Sequence, residues 1–214
     1  MRTLQLLVAA FALVQLLRYG RAAVQFLLPR VRVWGDATGA PGSPARLRAA
    51  DALAELGFVG LGVRRERSLG GAVDRTIDCY ASPTRATFAD VFEDRAHAAR
   101  VAFFTRFADG AAVLTADHAR PSISTRMAQA GALPDAAPGA VLAAHEVAVK
   151  RFAAAHGGPI GGDGLEARLV AARAWYRGEG RRELRHGKAP AVVVAGIALL
   201  LLASAVGNLM RGGR

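Results

Sequence analysis

Cysteine is nearly absent from this sequence, in which Cys79 is the only cysteine among 214 residues. A single cysteine cannot form an internal disulfide, so the chain has no disulfide framework and is compatible with a reducing cytoplasm. Hydrophobic residues make up 52% of the chain, which is too many for a disordered protein. The composition therefore predicts a folded chain that is stabilised without disulfides.

Acidic residues are scarce at both ends of the chain. Residues 1–35 contain five arginines and no acid, and residues 177–188 contain five bases and two acids. A net charge of +11 can indicate nucleic-acid binding, but the middle of the chain is nearly neutral and residues 177–188 contain no aromatic side chain for base stacking. We therefore predict no nucleic acid as a partner and contact with an anionic membrane surface instead. The predicted membrane-surface residues are Arg18, Arg21, Arg177, Arg181, Arg182, Arg185 and Lys188.

Charge is absent from residues 190–210, a run of 21 residues rich in valine, leucine and isoleucine. A helix of this length spans roughly 30 Å, which is the thickness of a bilayer core. We predict a transmembrane helix over residues 189–210; a buried core helix is the alternative. Ala203 and Gly207 are four residues apart, a spacing of small residues that favours packing on a partner helix or on a second copy.

The N-terminal apolar run is shorter. Residues 4–17 are apolar apart from two glutamines, and the helical pattern continues to Leu28. Three interpretations remain open: an uncleaved anchor, a helix in the membrane plane, and a cleaved signal peptide. No small-residue cleavage site follows the run, so we predict that residues 1–34 form a membrane anchor and juxtamembrane segment.

The arginines also predict the orientation of the chain. More Lys and Arg residues follow the first apolar segment than precede it, and more precede the last apolar segment than follow it. Positive residues accumulate on the cytoplasmic side of a membrane protein. Both biases place the central region on the cytoplasmic side of the inner membrane, with residues 177–188 as a basic juxtamembrane segment.

The central region predicts an α+β domain over residues 45–176, preceded by a linker over residues 35–44. Ser43, Pro44 and Gly57 are typical of an N-cap, a first helical position and a C-terminal stop. About five strands follow at short spacing, which predicts an antiparallel β-meander covered by helices. Two helices then follow an irregular stretch at residues 118–138, over residues 139–156 and residues 163–177, the second with an Asp163 cap. Trp175 and Tyr176 are predicted to lie at the headgroup level.

The most patterned stretch is FFTRFADGAAVLT, residues 103–115. Asp109-Gly110 predicts a two-residue type I′ hairpin turn, with Arg106 opposite Val113 and Thr105 opposite Leu114. The turn explains the aspartate, and threonine is common in strands. A catalytic role needs a base beside a nucleophile, and this stretch supplies none. We therefore predict a structural hairpin.

The five histidines show no metal-binding spacing, so no metal and no cofactor is predicted. His145 lies on the apolar stripe of its helix, which is more typical of a core histidine than of a functional one. Cys79 lies on a predicted strand without a partner base and is interpreted as a core residue. The weak catalytic candidates are His145, Thr105 and Asp109.

The hairpin and the later helix carry a resemblance. The pattern F-x-T-x-F-x-D-G, formed by Phe103, Thr105, Phe107, Asp109 and Gly110, precedes a helix with a histidine. Over roughly residues 56–152 the chain resembles membrane-anchored bacterial proteins that have no assigned function. The resemblance implies a shared fold and a shared surface, and it implies no activity.

The function predicted from these observations is non-enzymatic: a membrane-tethered cytoplasmic domain that binds a ligand or a protein partner. The chain has two apolar ends, a nearly neutral central domain and no convergent catalytic set. The alternative is a membrane-associated enzyme that uses His145 with Thr105 or Asp109.

Overall fold

The computed structural model describes residues 2–36, 42–69 and 74–211. They form two compact units. The helical unit contains the described residues among 1–30, 68–72 and 184–214, and the sheet unit contains those among 31–67 and 73–183. The helices are α1 (Arg2–Leu27), α2 (Pro44–Glu55), α3 (Pro138–His156), α4 (Leu165–Arg177), α5 (Gly180–Arg185) and α6 (Ala189–Arg211). The strands are β1 (Val31–Asp36), β2 (Val59–Ser68), β3 (Asp74–Ser82), β4 (Thr87–Glu93), β5 (Ala99–Phe107), β6 (Ala112–Ala116), β7 (Ile123–Ser124), β8 (Ala128–Ala132) and β9 (Pro159–Ile160).

The helical unit pairs α1 with α6. The residues buried in this unit are mainly alanines, which let two helices approach closely: Ala12, Ala23, Ala191, Ala195, Ala198 and Ala205. Ala203 is exposed and Gly207 is half-buried, so neither belongs to this buried alanine set. Their predicted role in self-association stays a prediction.

Both terminal helices are long and apolar enough to cross a membrane. Only 6% of the most apolar window of α1 and 22% of that of α6 is buried, whereas a core helix of a soluble protein is mostly buried. Their exposed side chains include Leu7, Leu17, Leu200 and Met210. The two helices are therefore consistent with membrane association.

The described residues of the sheet unit form a mixed sheet of nine strands. Its order is β1-β2-β3-β4-β5-β6-β8-β7, and β9 pairs with the end of β5. The pairs from β2 to β6 are antiparallel hairpin neighbours, as predicted for a meander, and β8 is parallel to β6. The predicted α+β class with a largely antiparallel sheet covered by helices is confirmed.

Helices cover both faces of the sheet because successive side chains of a strand point to opposite faces. In β5, Phe103 packs on the side of α2 and α3 with Leu53 and Val141. The next residue, Phe104, packs on the other side against Trp175 of α4. A strand that is buried on both faces has few polar positions, which explains the continuous apolar run of β5.

The local signals for α2 and α3 are confirmed. The Ser43 side chain accepts a hydrogen bond from the Arg46 amide, Pro44 begins α2, and Gly57 takes a positive φ of 79°. Gly157 ends α3 with a φ of 76°. These ends follow from single residues, which is why the sequence predicts them.

Three predicted boundaries differ from the structure. The sheet begins at Val31, inside the segment that we assigned to the anchor. Residues 118–138 contain β7 and β8 rather than irregular structure throughout. Helix α4 begins at Leu165 after Gly164, and Asp163 provides no cap. Of the predicted linker, residues 37–41 lie outside the described residues.

Two predictions about the β5–β6 hairpin are wrong: its strand register is shifted by one residue, and its turn is not type I′. Thr105 pairs with Val113, and the Phe107 amide donates to the Ala111 carbonyl at 2.8 Å. The loop therefore has three residues, 108–110, and Gly110 alone has a positive φ, of 89°. Such loops join a type I turn to one left-handed residue, so Asp109 needs no positive φ and instead accepts a hydrogen bond from the Ala111 amide.

Replacing Gly110 with alanine is expected to destabilise the fold by about 1 kcal/mol because a side chain disfavours the left-handed backbone. No atom lies within 4 Å of the position that the new methyl group would take, so backbone strain is the whole effect. The matched control is Gly131→Ala, which also adds its methyl group in open space but at an ordinary φ. Thermal unfolding of the full chain measures both, and equal stabilities of the two variants would contradict this account.

Candidate functional site

A network of charged side chains lies between the sheet and α4. Arg64 and Glu66 alternate along β2, Asp90 comes from β4, and Arg168 comes from α4. All four side chains are buried, and Glu66 has no exposed surface. Their burial follows from the fold, because period-two positions of neighbouring strands share one face and α4 covers that face. These residues are the most concentrated buried charges among the described residues.

Asp90 is held by two arginines at once. Both of its carboxylate oxygens accept hydrogen bonds from Arg64, each at 2.8 Å, and both also accept from Arg168. The Arg168 guanidinium also lies over the Phe104 ring, 4.8 Å from its centroid. Bidentate arginine–carboxylate pairs have fixed geometry, so this arrangement orients both guanidinium groups.

Glu66 connects the network to β3 and to the end of α4. One carboxylate oxygen accepts hydrogen bonds from Arg64, and the other accepts from Arg75 at 2.9 Å and from the Tyr176 hydroxyl at 2.8 Å. Arg75 also donates to the Tyr176 oxygen at 3.0 Å. Trp175 is buried against Phe104, and Tyr176 is half-buried and hydrogen-bonded within the domain, whereas their predicted position at the headgroup level stays a prediction.

The buried carboxyl groups remain ionised. Burial raises the pKa of Asp90, but the charges of Arg168 and Arg64 outweigh it and hold the pKa at about 2. For Glu66, burial again raises the pKa, and Arg75 and Arg64 lower it below its usual value. Burial also raises the pKa of the Tyr176 hydroxyl, which stays protonated and donates to Glu66. The network is thus a set of full charges at neutral pH.

A cavity of about 40 Å³ opens beside the network. Arg64, Arg75, Arg120 and Arg168 line it together with Glu66, Asp90 and Glu183, so the lining arginines exceed the carboxylates by one. Two donors on this lining have no partner among the described residues, Arg168 Nη1 and Arg120 Nε. Buried N–H groups are almost always paired, so an acceptor, either water or an anion, is expected within reach of these two donors.

The predicted candidates His145 and Thr105 are brought together inside the core. The His145 Nε2 atom lies 3.0 Å from the Thr105 hydroxyl, and its Nδ1 atom lies 3.1 Å from the Thr115 hydroxyl. His145 has no exposed surface, and burial lowers its pKa to about 3. The imidazole is therefore neutral, and both ring nitrogens are already hydrogen-bonded. This geometry favours a structural role.

The third candidate, Asp109, lies elsewhere. Its carboxylate pairs with His156 Nδ1 at 2.7 Å, where α3 ends beside the hairpin. That hydrogen bond lowers the pKa of Asp109. The pair joins the hairpin loop to α3, and it does not include His145 or Thr105.

Cys79 lies at the edge of the network. Its sulfur accepts a hydrogen bond from Arg64 at 3.7 Å, and burial raises the pKa of the thiol to about 11. A buried, protonated thiol is a poor nucleophile, so the interpretation as a core residue is consistent with its position. Within residues 2–36, 42–69 and 74–211, no cluster of three metal-ligating side chains occurs.

The predicted membrane-surface residues lie in several environments. Arg21, Arg177 and Arg181 are exposed. Arg18 lies over the Tyr19 ring, Arg182 pairs with Glu179, Arg185 donates to the Phe26 carbonyl, and Lys188 donates to the Leu184 carbonyl. The basic run is partly helical, over α5, and its predicted juxtamembrane position stays a prediction.

Sequence reasoning missed the charged network, although the signals were present. Asp90 interrupts the apolar run from Phe88 to Phe92 in the middle of strand β4. Arg168 occupies a position on the apolar stripe of α4, three residues after Leu165 and four before Ala172. An acid and a base that both occupy positions predicted to be buried indicate a buried ion pair. Matching Asp90 with Arg168 on this basis would have predicted the site.

No protein-family model matches the chain, and no curated protein and no solved structure is similar to it. The resemblance carried by the hairpin motif stays a prediction. The proposals below are argued from the geometry of the chain.

Proposed function

We propose that this chain is a membrane-tethered, non-enzymatic binding protein whose cytoplasmic domain holds a small anion beside Arg168 and Arg120. The observation that carries the proposal is the pair of unpartnered arginine N–H groups on the lining of the 40 Å³ cavity. The membrane attachment and the ligand are separate parts of the proposal, and each has its own support.

Attachment is supported by the exposed apolar surfaces of α1 and α6. A soluble protein rarely exposes so many large apolar residues on two long helices. The excess of arginine next to the inner ends of both helices supports insertion in the inner membrane with the sheet domain on the cytoplasmic side.

An anion is supported over a cation by the charges on the cavity lining. Four arginines face three carboxylates there, and every carboxylate already accepts hydrogen bonds from arginine. The two buried lining atoms without a partner are both donors, which only an acceptor can satisfy. Because Arg168 and Arg120 are nearly buried, an anion there is shielded from water and attracted more strongly.

The size of the cavity limits the ligand. A volume of about 40 Å³ holds roughly three water molecules or one small anion such as chloride, nitrate or formate. A nucleotide or a sugar phosphate is larger than this volume. The domain therefore suits the binding of a simple inorganic or carboxylate anion.

The test is thermal unfolding of the full chain in detergent with different sodium salts at equal ionic strength. Binding to the folded state stabilises it, by about 3 kcal/mol when the anion is present at 100 times its Kd. We expect chloride, nitrate or formate to raise the Tm above that in gluconate, which is too large for the cavity. Arg120→Gln removes one unpartnered donor and is expected to abolish the difference between salts.

Arg100→Gln is the matched control, because Arg100 pairs with Asp94 and Asp135 outside the cavity lining. This variant is expected to keep the full difference between salts. Equal Tm values in all salts for the unmodified chain, or an undiminished difference in Arg120→Gln, would rule out the anion site and leave ordered water as the acceptor.

A further inference from the structure

A second basic site lies on the surface of the sheet unit, away from the network cavity. Strand β1 and helix α4 border an open groove of about 620 Å³. Six residues line it, and none of them is acidic: Arg32, Val33, Trp34, Arg67, Arg173 and Arg177. Four arginines on one open groove concentrate positive charge on a domain that is otherwise nearly neutral.

Two of these arginines are available to a ligand. Among the described residues, the side chains of Arg32 and Arg177 are exposed and make no hydrogen bond or ion pair. Arg67 pairs only with the exposed Asp74, and Arg173 donates to the Val33 carbonyl and to the exposed Glu166. Exposed ion pairs are weak, so the partners Asp74 and Glu166 hold Arg67 and Arg173 only weakly.

The groove also contains an exposed tryptophan. Trp34 is 37% exposed, whereas the second tryptophan of the chain, Trp175, is only 7% exposed. Trp34 follows Arg32 by two residues on β1, so both side chains lie on the same face of the strand. Tryptophan beside arginine is typical of the membrane–water interface, where the indole ring meets lipid headgroups.

The position of these residues in the sequence is a third, independent observation. Arg32 follows Leu27, the last residue of α1, by five residues. Arg177 precedes Ala189, the first residue of α6, by twelve residues. Both borders of the groove thus come from the chain segments that lead to the two apolar helices.

From these observations we propose that the groove between β1 and α4 binds the phosphate headgroups of anionic phospholipids. Arginine forms bidentate hydrogen bonds with phosphate oxygens, and the open groove admits a headgroup that remains attached to the bilayer. The site fixes which surface of the sheet unit contacts the membrane. This inference rests on the proposed membrane attachment and is independent of the anion in the network cavity.

The experiment uses Trp34 as its reporter in the full chain, reconstituted in lipid nanodiscs. The discs contain a trace of lipid with a nitroxide on its headgroup, in phosphatidylcholine alone or mixed with phosphatidylglycerol. We expect the fluorescence of the exposed tryptophan to be quenched at least about twofold more in the anionic discs, and raised salt to remove the difference. The buried Trp175 contributes a constant background.

Arg32→Gln combined with Arg177→Gln is expected to abolish the additional quenching in anionic discs. The matched control is Arg48→Gln combined with Arg95→Gln, which removes the same charge at two exposed arginines outside the groove. That control is expected to retain the quenching. Thermal unfolding confirms that both double variants are folded.

Equal quenching in neutral and anionic discs would overturn the inference, and so would additional quenching that is retained in the Arg32 and Arg177 double variant. A third contrary result is that inorganic phosphate, added to neutral discs, changes the fluorescence of Trp34 as much as the anionic lipid does. The last result would identify a soluble anion as the ligand. Incorporation of the chain into discs measures attachment by the helices separately, so a failure of the groove is distinguishable from a failure of the membrane tether.

Discussion

Replacing Asp90 with asparagine is expected to lower the free energy of unfolding by about 3–5 kcal/mol, the loss typical of a broken buried ion pair. Asparagine has nearly the same volume, so packing is preserved and the charge alone is removed. Arg64 is then left with Glu66 as its carboxylate partner, and Arg168 is left without any. The cost arises mainly at Arg168, whose buried guanidinium charge has lost the carboxylate that offsets its desolvation, and less at Arg64, which keeps Glu66.

The control for this variant is Glu146→Gln, which also removes one carboxylate from an ion pair. Glu146 pairs with Arg85 at 2.9 Å, and both side chains are more than one-third exposed. Exposed pairs contribute about 0–1 kcal/mol, so a small effect is expected. Chemical unfolding of the full chain in detergent measures both variants. Similar losses for Asp90→Asn and Glu146→Gln would show that burial does not strengthen the network.

A double-mutant cycle separates the interaction of Asp90 with Arg168 from the damage that each single change causes. Arg168→Met is expected to cost less than Asp90→Asn because Arg64 still holds the carboxylate. The double variant is expected to be more stable than the sum of the two losses predicts, since it leaves no unpaired charge at the Arg168 position. Additive losses would mean that the two side chains are not coupled.

The meander was predictable because its signals are local. Strands β2 to β6 are separated by short turns, and the ends of α2 and α3 are marked by Pro44, Gly57 and Gly157. Strand β8 carries no such signal: its sequence, AQAGA, has no β-branched or aromatic residue, and it becomes a strand by pairing with β6. Tertiary pairing of this kind leaves no periodicity in the sequence.

Strand β1 was missed for a different reason. Val31 and Val33 alternate with Arg30 and Arg32, which is a strand pattern, but we interpreted the arginines as part of a juxtamembrane segment. Positive charge near an apolar helix predicts contact with a membrane surface, but it does not indicate whether the charged residues form a strand. In the fold the two signals are compatible, because Val33 is buried against α4 and Arg32 is exposed.

The candidate site was the least predictable part. His145 and Thr105 were singled out from the sequence, and they do meet, but the network of Arg64, Asp90 and Arg168 was not anticipated. Arg64 and Asp90 are 26 residues apart and Asp90 and Arg168 are 78 residues apart along the chain, and only the packing of α4 on the sheet unites them. A buried ion pair can therefore be predicted from sequence only when both charged residues occupy positions that the hydrophobic pattern predicts to be buried.

The fold is expected to lose stability on mild acidification because of His145. Its pKa falls from 6.5 to about 3 on folding because it is buried. Between these values the unfolded chain takes up a proton at His145 and the folded chain does not, so protonation favours unfolding. Stability is complete above about pH 6.5 and declines by about 1.4 kcal/mol for each pH unit below it.

Unfolding free energies at about pH 6.5 and about pH 5 are expected to differ by roughly 2 kcal/mol from this residue alone. His145→Gln removes the titrating group while it keeps one donor and one acceptor near Thr105 and Thr115. This variant is expected to be less stable at neutral pH and to lack that share of the pH dependence. Asp90 does not contribute in this window, because its pKa lies at about 2.

The control must lower stability without changing proton uptake, and Val141→Ala on the same helix does so. Val141 is fully buried one turn before His145, so its truncation leaves a cavity and costs about 1–3 kcal/mol at every pH. We expect this variant to keep the acid sensitivity that His145→Gln loses. If both variants retain the same slope between about pH 6.5 and about pH 5, then His145 is not the residue that makes the fold sensitive to acid.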